Sequence, residues 1–218
     1  MDIVLDEREV RILGCLIEKE MTTPEYYPLS LNSIVNACNQ KSNRQPVLSL
    51  DEIAVLKGLD SLRSKGLTQE THVPGSRVNK YVHELFSLFD LSRREMAVLC
   101  ELMLRGPQTP GELRSNTERI VPAGNVEEMD KTLRDLIEHD PPLIMRLPRE
   151  AGRREARYVH LFSDEIAREK TAAARTASPA VSAIPATQAI SRLELEIAQI
   201  KRDLEQLKQA FADFKSQF

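Results

Sequence analysis

The chain contains one pattern twice. LDEREVRILGCLIEKE at 5–20 and LSRREMAVLCELMLRG at 91–106 share leucine, glutamate and apolar positions at a numbering offset of 86. PGSRVNKYVHEL at 74–85 and EAGRREARYVHLF at 150–162 share a glycine, a basic residue and Tyr-Val-His at an offset of 77. A shrinking offset means that one copy carries extra loop. Solenoid repeats have periods of roughly 20–50 residues; these units are longer, which predicts two whole small domains, each able to close a modest core.

Within the first unit, Asp6 and Glu9 form a capping box ahead of Val10, Leu13, Leu16 and Ile17 at helical spacing, which predicts a first helix over about 7–19. Proline breaks it in MTTPEYYP (21–28), and Ser30 opens a second helix with the stripe Leu31, Ile34, Val35 and Cys38. Ser49 and Glu52 read as another capping box, leading a third helix through Ile53, Val55, Leu56, Leu59 and Leu62 to Gly66. Two β-like runs, 67–73 and 78–85, flank Pro74, Gly75 and Ser76. The second unit repeats the order, with boxes at Ser92/Glu95 and Thr109/Glu112, a third helix from Asn125, and a hairpin over 143–147 and 156–162. Three helices and a hairpin are the winged-helix plan.

The predicted fold class is therefore α+β, mainly α: winged-helix domains at 1–88 and 89–163, a linker at 164–188 and a coiled coil at 189–218. TAAARTASPAVSAIPAT (171–187), rich in Ala, Ser, Thr and Pro, is the linker. Beyond it Ile190, Ile197, Leu204 and Phe211 alternate with Leu193, Ile200, Leu207 and Phe214 at spacings of three and four. Glu196 and Asp203 at g positions would face Lys201 and Lys208 at e positions of a parallel partner. The narrow, strictly a/d seam predicts a self-associating coiled coil, a parallel dimer; the alternative is one helix folded back on its own domains.

Nothing in the sequence builds a catalytic centre. His72, His83, His139 and His160 have no metal-ligand spacing, no glycine loop cradles phosphate, and no nucleophile motif occurs, so a non-enzyme with no cofactor and no metal is expected. His83 and His160 are repeat equivalents and are expected to share a structural role. Cys15, Cys38 and Cys100 form no C-x-x-C pair and read as core residues in a reducing compartment. No apolar run reaches the ~20 residues of a membrane span and no secretory leader is evident, which predicts a cytoplasmic protein.

A formal net charge of −3 gives no global attraction to nucleic acid, so any binding must come from local patches. The third helices open on carboxylates, Asp51 and Glu52 in one copy and Glu127, Glu128 and Asp130 in the other, which repel phosphate. The hairpins are basic: Arg77 and Lys80 in the first, Arg146, Arg149, Arg153, Arg154 and Arg157 against Glu150 and Glu155 in the second. A charge-protected sheet edge explains such a hairpin as well as phosphate binding does. In the connection NQKSNRQPV (39–47), Asn39, Gln40, Lys41, Asn43 and Arg44 could read bases, clamp phosphate or pin the loop to its own domain.

CLIEKEMTTPEYYPLSLNSIVNACNQKSNRQPV (15–47), GSRVNKY (75–81), RGPQTPGELR (105–114) and YVHLFS (158–163) resemble the YceH-like family of bacterial proteins. The resemblance spans 3–163 and implies a tandem winged-helix fold and a bacterial cytoplasmic protein, with no activity attached. Gln45 departs from the acidic residue more usual there. The expected function is a dimeric DNA-associated or regulatory protein acting through Lys41, Asn43, Arg44, Arg77, Lys80, Arg149, Arg153, Arg154 and Arg157. The alternative is a protein–protein adaptor similar, at the level of fold, to the tandem winged-helix subunits of bacterial chromosome-condensing complexes. The expected partners are a second copy of the chain, DNA or another protein, and no membrane.

Overall fold

The computed structural model describes residues 3–122, 124–149 and 155–163. They form an α+β structure, mainly helical, with two small antiparallel sheets. The linker and the heptads at 190–214 lie outside the described residues, as do Arg153 and Arg154.

Side-chain caps set the helix starts. α1 (Glu7–Thr22) begins at Asp6, whose carboxylate accepts from the Glu9 amide while Glu9 reaches back to the Asp6 amide. α2 (Leu31–Cys38) begins at Ser30 and α3 (Glu52–Ser64) at Asp51, which accepts from the Ala54 amide at 2.7 Å. The expected cap at Ser49 is thus displaced by two residues: Asp51 holds extended backbone and an acceptor directly before the first helical residue, a better position for the same chemistry. In the second repeat α5 (Arg93–Arg105), α6 (Pro110–Thr117) and α7 (Val126–Glu138) start from Ser92, Thr109 and Asn125, as the sequence predicts.

The caps also locate the extra loop. Asp6 and Ser92 stand 86 residues apart, Ser30 and Thr109 79, Asp51 and Asn125 74, and His83 and His160 77. The first repeat therefore carries added residues before α2 and again before α3, and the second carries a longer hairpin.

β2 (Thr68–Thr71) and β3 (Lys80–His83) form the first hairpin, Thr68 opposite His83. A two-residue strand, β1 (Leu29–Ser30), adds to β3. It is too short to have left a periodic signal. The second hairpin is β4 (Ile144–Arg146) and β5 (Tyr158–His160). The run expected as strand to Leu85 ends earlier, because Leu85 opens a short helix, α4 (Leu85–Phe89). The His83 ring explains the exit: its Nδ1 accepts from the Leu85 amide at 3.2 Å, taking that donor from the ladder. His160 Nδ1 accepts from the Phe162 amide in the same way, at 3.3 Å. The two histidines thus share the structural role that their repeat positions predict. His160 is buried, and burial pushes its pKa down to about 4, so its ring is neutral at pH 7.

The repeats share one buried core. α1 and α5 cross where Gly14 meets Cys100, residues in equivalent positions, with Cys100 Sγ 3.5 Å from the Gly14 carbonyl oxygen. Gly14 is required by the approach: a Cβ there would lie 2.9 Å from Leu104 Cδ2 and 3.1 Å from Met103 Cβ. Cys15, Cys38 and Cys100 are all buried free thiols. At the ends of the pair, the Leu5 amide of the first repeat donates to the Phe162 carbonyl of the second at 2.6 Å. No described helix is long and apolar enough to cross a membrane.

Candidate nucleic-acid interface

The proposed contact residues divide into an outward and an inward group. Arg77 and Lys41 are exposed and Lys80 is half-buried beside the β2–β3 turn. Arg146 and Arg149 are exposed on the second hairpin. Among the described residues none of these five has a carboxylate partner, whereas Arg8, Arg44, Arg63, Arg94, Arg105 and Arg119 each do. Arg157 is intermediate: its Nη1 donates to the Pro107 carbonyl at 3.4 Å and its Nη2 lies 3.9 Å from Glu112.

Arg44 and Asn43 turn inward. The Arg44 side chain has no exposed surface, and its Nη2 sits 2.5 Å from Glu18 Oε2. Its Nη1 donates to Glu18 Oε1 at 3.2 Å and to the Asn43 carbonyl at 2.8 Å, and its Nε to the Ala37 carbonyl at 3.0 Å. Together with Arg11, which donates to the Cys38 carbonyl at 3.3 Å, it satisfies carbonyls at the end of α2, where a cation is favoured. Asn43, at φ 56°, takes the left-handed conformation that asparagine tolerates and donates through Nδ2 to Glu18 Oε1 at 3.0 Å. Of the three roles open to this loop, these two side chains perform the pinning one. Asn39 is tied to the Leu50 backbone and Gln40 accepts from Arg44 Nη2, so of the five basic or amide candidates there only Lys41 faces outward.

Their acceptor was not singled out in the sequence. Glu18 of α1 and Glu101 of α5 are both buried, and Arg119, from the loop after α6, bridges them: Nη2 lies 2.8 Å from Glu18 Oε1 and 2.6 Å from Glu101 Oε1. Arg105 lies 3.3 Å from Glu101 Oε2, and its Nε donates to Asn43 Oδ1. Burial alone would raise the Glu18 pKa, but hydrogen bonds and charge from Arg44, then Arg119 and Lys19, hold it at about 2. For Glu101 burial wins over Arg119 and Arg105, and its pKa lies above the ordinary carboxylate value. A usable signal was present: from Ala97 to Leu104 every residue but Glu101 is apolar. A helix apolar all round is buried, so its single charge must find a partner.

The faces expected to meet DNA are not basic. On α3, Glu52, Ile53, Leu56, Lys57 and Asp60 point outward, with Ile53 65% and Leu56 40% exposed. On α7, Val126, Glu127, Asp130, Lys131 and Arg134 do so, and Glu128 is paired with Arg94.

The family described as "Protein of unknown function, DUF480" matches residues 5–153. The chain belongs to this family. The resemblance drawn from the motifs at 15–47 and 105–114 is thereby borne out. A relative, a UPF0502 protein of Pelobacter propionicus, is 47% identical over 221 residues, covering 100% of both chains. One from Geobacter sulfurreducens is 46% identical over the same span, also covering both chains in full. A third, from Koribacter versatilis, is 55% identical over 161 residues, 73% of this chain and 74% of its own. Full-length relatives therefore extend the likeness through the C-terminal segment, beyond the stretch that the motifs cover.

Proposed function

We propose that each repeat is a winged helix and that this DUF480 protein is a non-enzymatic, cytoplasmic, nucleic-acid-associated dimer that holds phosphate with its hairpins. The observation that carries the proposal is the segregation of its cations. Arg44, Arg105 and Arg119 turn toward the buried carboxylates Glu18 and Glu101, while Arg77, Lys80, Arg146 and Arg149 sit on hairpins without a carboxylate partner among the described residues. The third helices contribute carboxylates and aliphatic side chains where base-reading groups would be needed, so the binding is to the backbone and tolerant of sequence. Arg44 and Asn43 are left out of the contact set; Lys41 stays in it, and so do Arg153 and Arg154, which lie outside the described residues. The heptads at 190–214 join two copies in parallel.

Duplex titrations at several salt concentrations test this. Each phosphate neutralised contributes about 0.9 to the slope of log affinity against log salt, so replacing Arg77 and Lys80 by alanine flattens it by up to about two. Binding that keeps its slope in this variant and in Arg146→Ala/Arg149→Ala overturns the assignment of the surface.

A second reading is favoured by one observation, the exposure of Ile53 and Leu56 between Glu52 and Asp60 on α3. An apolar pair rimmed by acid suits a protein partner with a basic-edged apolar segment better than it suits DNA. In this adaptor reading Ile53→Asp abolishes capture of a partner, and the hairpin variants leave it intact.

A further inference from the structure

In both repeats a loop leads into the third helix: 39–51 precedes α3 and 118–125 precedes α7. These loops belong to different repeats, yet each sends one side chain to the same two buried carboxylates. Asn43 donates through Nδ2 to Glu18 Oε1 at 3.0 Å and to Glu101 Oε1 at 3.4 Å. Arg119 reaches Glu18 Oε1 at 2.8 Å and gives Glu101 Oε1 both Nε, at 3.1 Å, and Nη2, at 2.6 Å. The carboxylates come from α1 and α5, the helices that cross at the centre of the molecule. A backbone bond reinforces the ring, since the Gln45 amide donates to the Leu104 carbonyl of α5 at 2.9 Å.

We propose that this ring is a coupling device, through which a displacement of the loop before α3 is transmitted to the loop before α7 and the reverse. The physical ground is shared acceptors. When one loop withdraws its donor, two buried carboxylates lose part of their compensation, and the remaining donor must shift to restore it, because an under-paired buried charge is costly. The third helices are thereby linked whatever they bind, so the inference does not depend on nucleic acid being the partner. Arg119 suits the role of adjustable member: its side chain is 37% exposed where that of Arg44 has no exposed surface.

Amide hydrogen exchange on the full chain tests the coupling. Asn43→Gly removes the bridging amide while tolerating the left-handed backbone at φ 56°. It is read at the Ile120 and Val121 amides, which donate to the Thr117 carbonyl at 2.8 and 2.9 Å. Arg119→Gln is read reciprocally at the Gln45 amide. Coupling free energies in such networks correspond to about 2-fold to 30-fold faster exchange at the distant loop, and that is the expected result in both directions. Arg63→Gln, which breaks exposed pairs with Asp60 on α3 and Glu70 on β2, away from the ring, serves as control and leaves both loops unchanged. Acceleration confined to the substituted loop in either variant overturns the proposal. If a variant does not fold, the unsubstituted chain decides in urea: the Gln45 and Ile120 amides open in one step with one urea dependence, and two separate openings overturn it.

Discussion

Replacing Arg44 by methionine should be among the most damaging single changes in this protein. The substitution keeps a long side chain but removes the cation from Glu18, two carbonyl partners and the Gln40 side chain. A carboxyl held at about 2 against its ordinary 4.5 corresponds to about 3 kcal/mol of stabilisation of the ionised form. Arg44 is the largest source of that stabilisation, and removing one partner of a buried pair typically costs ~3–5 kcal/mol. Arg119 and Lys19 remain near Glu18, so the expected loss is about 3 kcal/mol in urea unfolding at pH 7, followed by far-UV circular dichroism. The sign of the pH dependence follows. The Glu18 folded-state pKa is depressed, so its contribution is complete above 4.5 and disappears as pH falls toward 2. The difference between wild type and Arg44→Met must therefore shrink across that window. Converting Glu18 to leucine as well should recover part of the loss, because the stranded carboxylate goes with it. A loss under about 1 kcal/mol at pH 7, or a difference that persists unchanged at pH 2, would refute the reasoning.

Further outcomes are expected elsewhere. His160, neutral and buried with a folded pKa near 4 against 6.5, contributes stability that is complete above 6.5 and lost between 6.5 and 4, so His160→Gln should abolish the loss in that window while leaving the one below 4.5; chemical denaturation at closely spaced pH values separates them. If the heptads join two copies, a chain ended at Thr187 should be a monomer, with a light-scattering mass a little under half that of the full-length protein; a truncated chain that stays dimeric would rule out the heptads as the joint, and monomers in both cases would favour a folded-back helix. Cys15 and Cys100, with no exposed surface, should resist thiol reagents until the protein unfolds, and rapid native labelling would contradict their burial.

The course of the backbone was legible because the signals for it are local. Caps at Asp6, Ser30, Ser92, Thr109 and Asn125 lie beside the helices they start, and the duplication supplied each assignment twice. Ser49 misled because two potential caps, Ser49 and Asp51, stand two residues apart, and only backbone conformation distinguishes them. β1 escaped because its partner, β3, lies some fifty residues away. The candidate site was legible in part. Arg77, Arg146 and Arg149 face outward on their hairpins as the turn context implies, but Arg44 looks no different in sequence from Lys41, and what separates them is a carboxylate on α1, 26 residues earlier. Glu101 was the findable member of that set, as the one charge in an apolar octet; Arg119 was not, since its loop carries no pattern that aims it at two other elements.

The claim that matters most for function is that the hairpins engage nucleic acid, and a pull-down of the full-length protein from native lysate, split between nuclease-treated and untreated halves, tests it most directly. Nucleic acid should co-purify with the wild type, be released by moderate salt and be much reduced with Arg77→Ala/Lys80→Ala, while companion proteins disappear after nuclease. The contradicting result is a companion protein that survives nuclease, ignores the hairpin substitutions and is lost with Ile53→Asp.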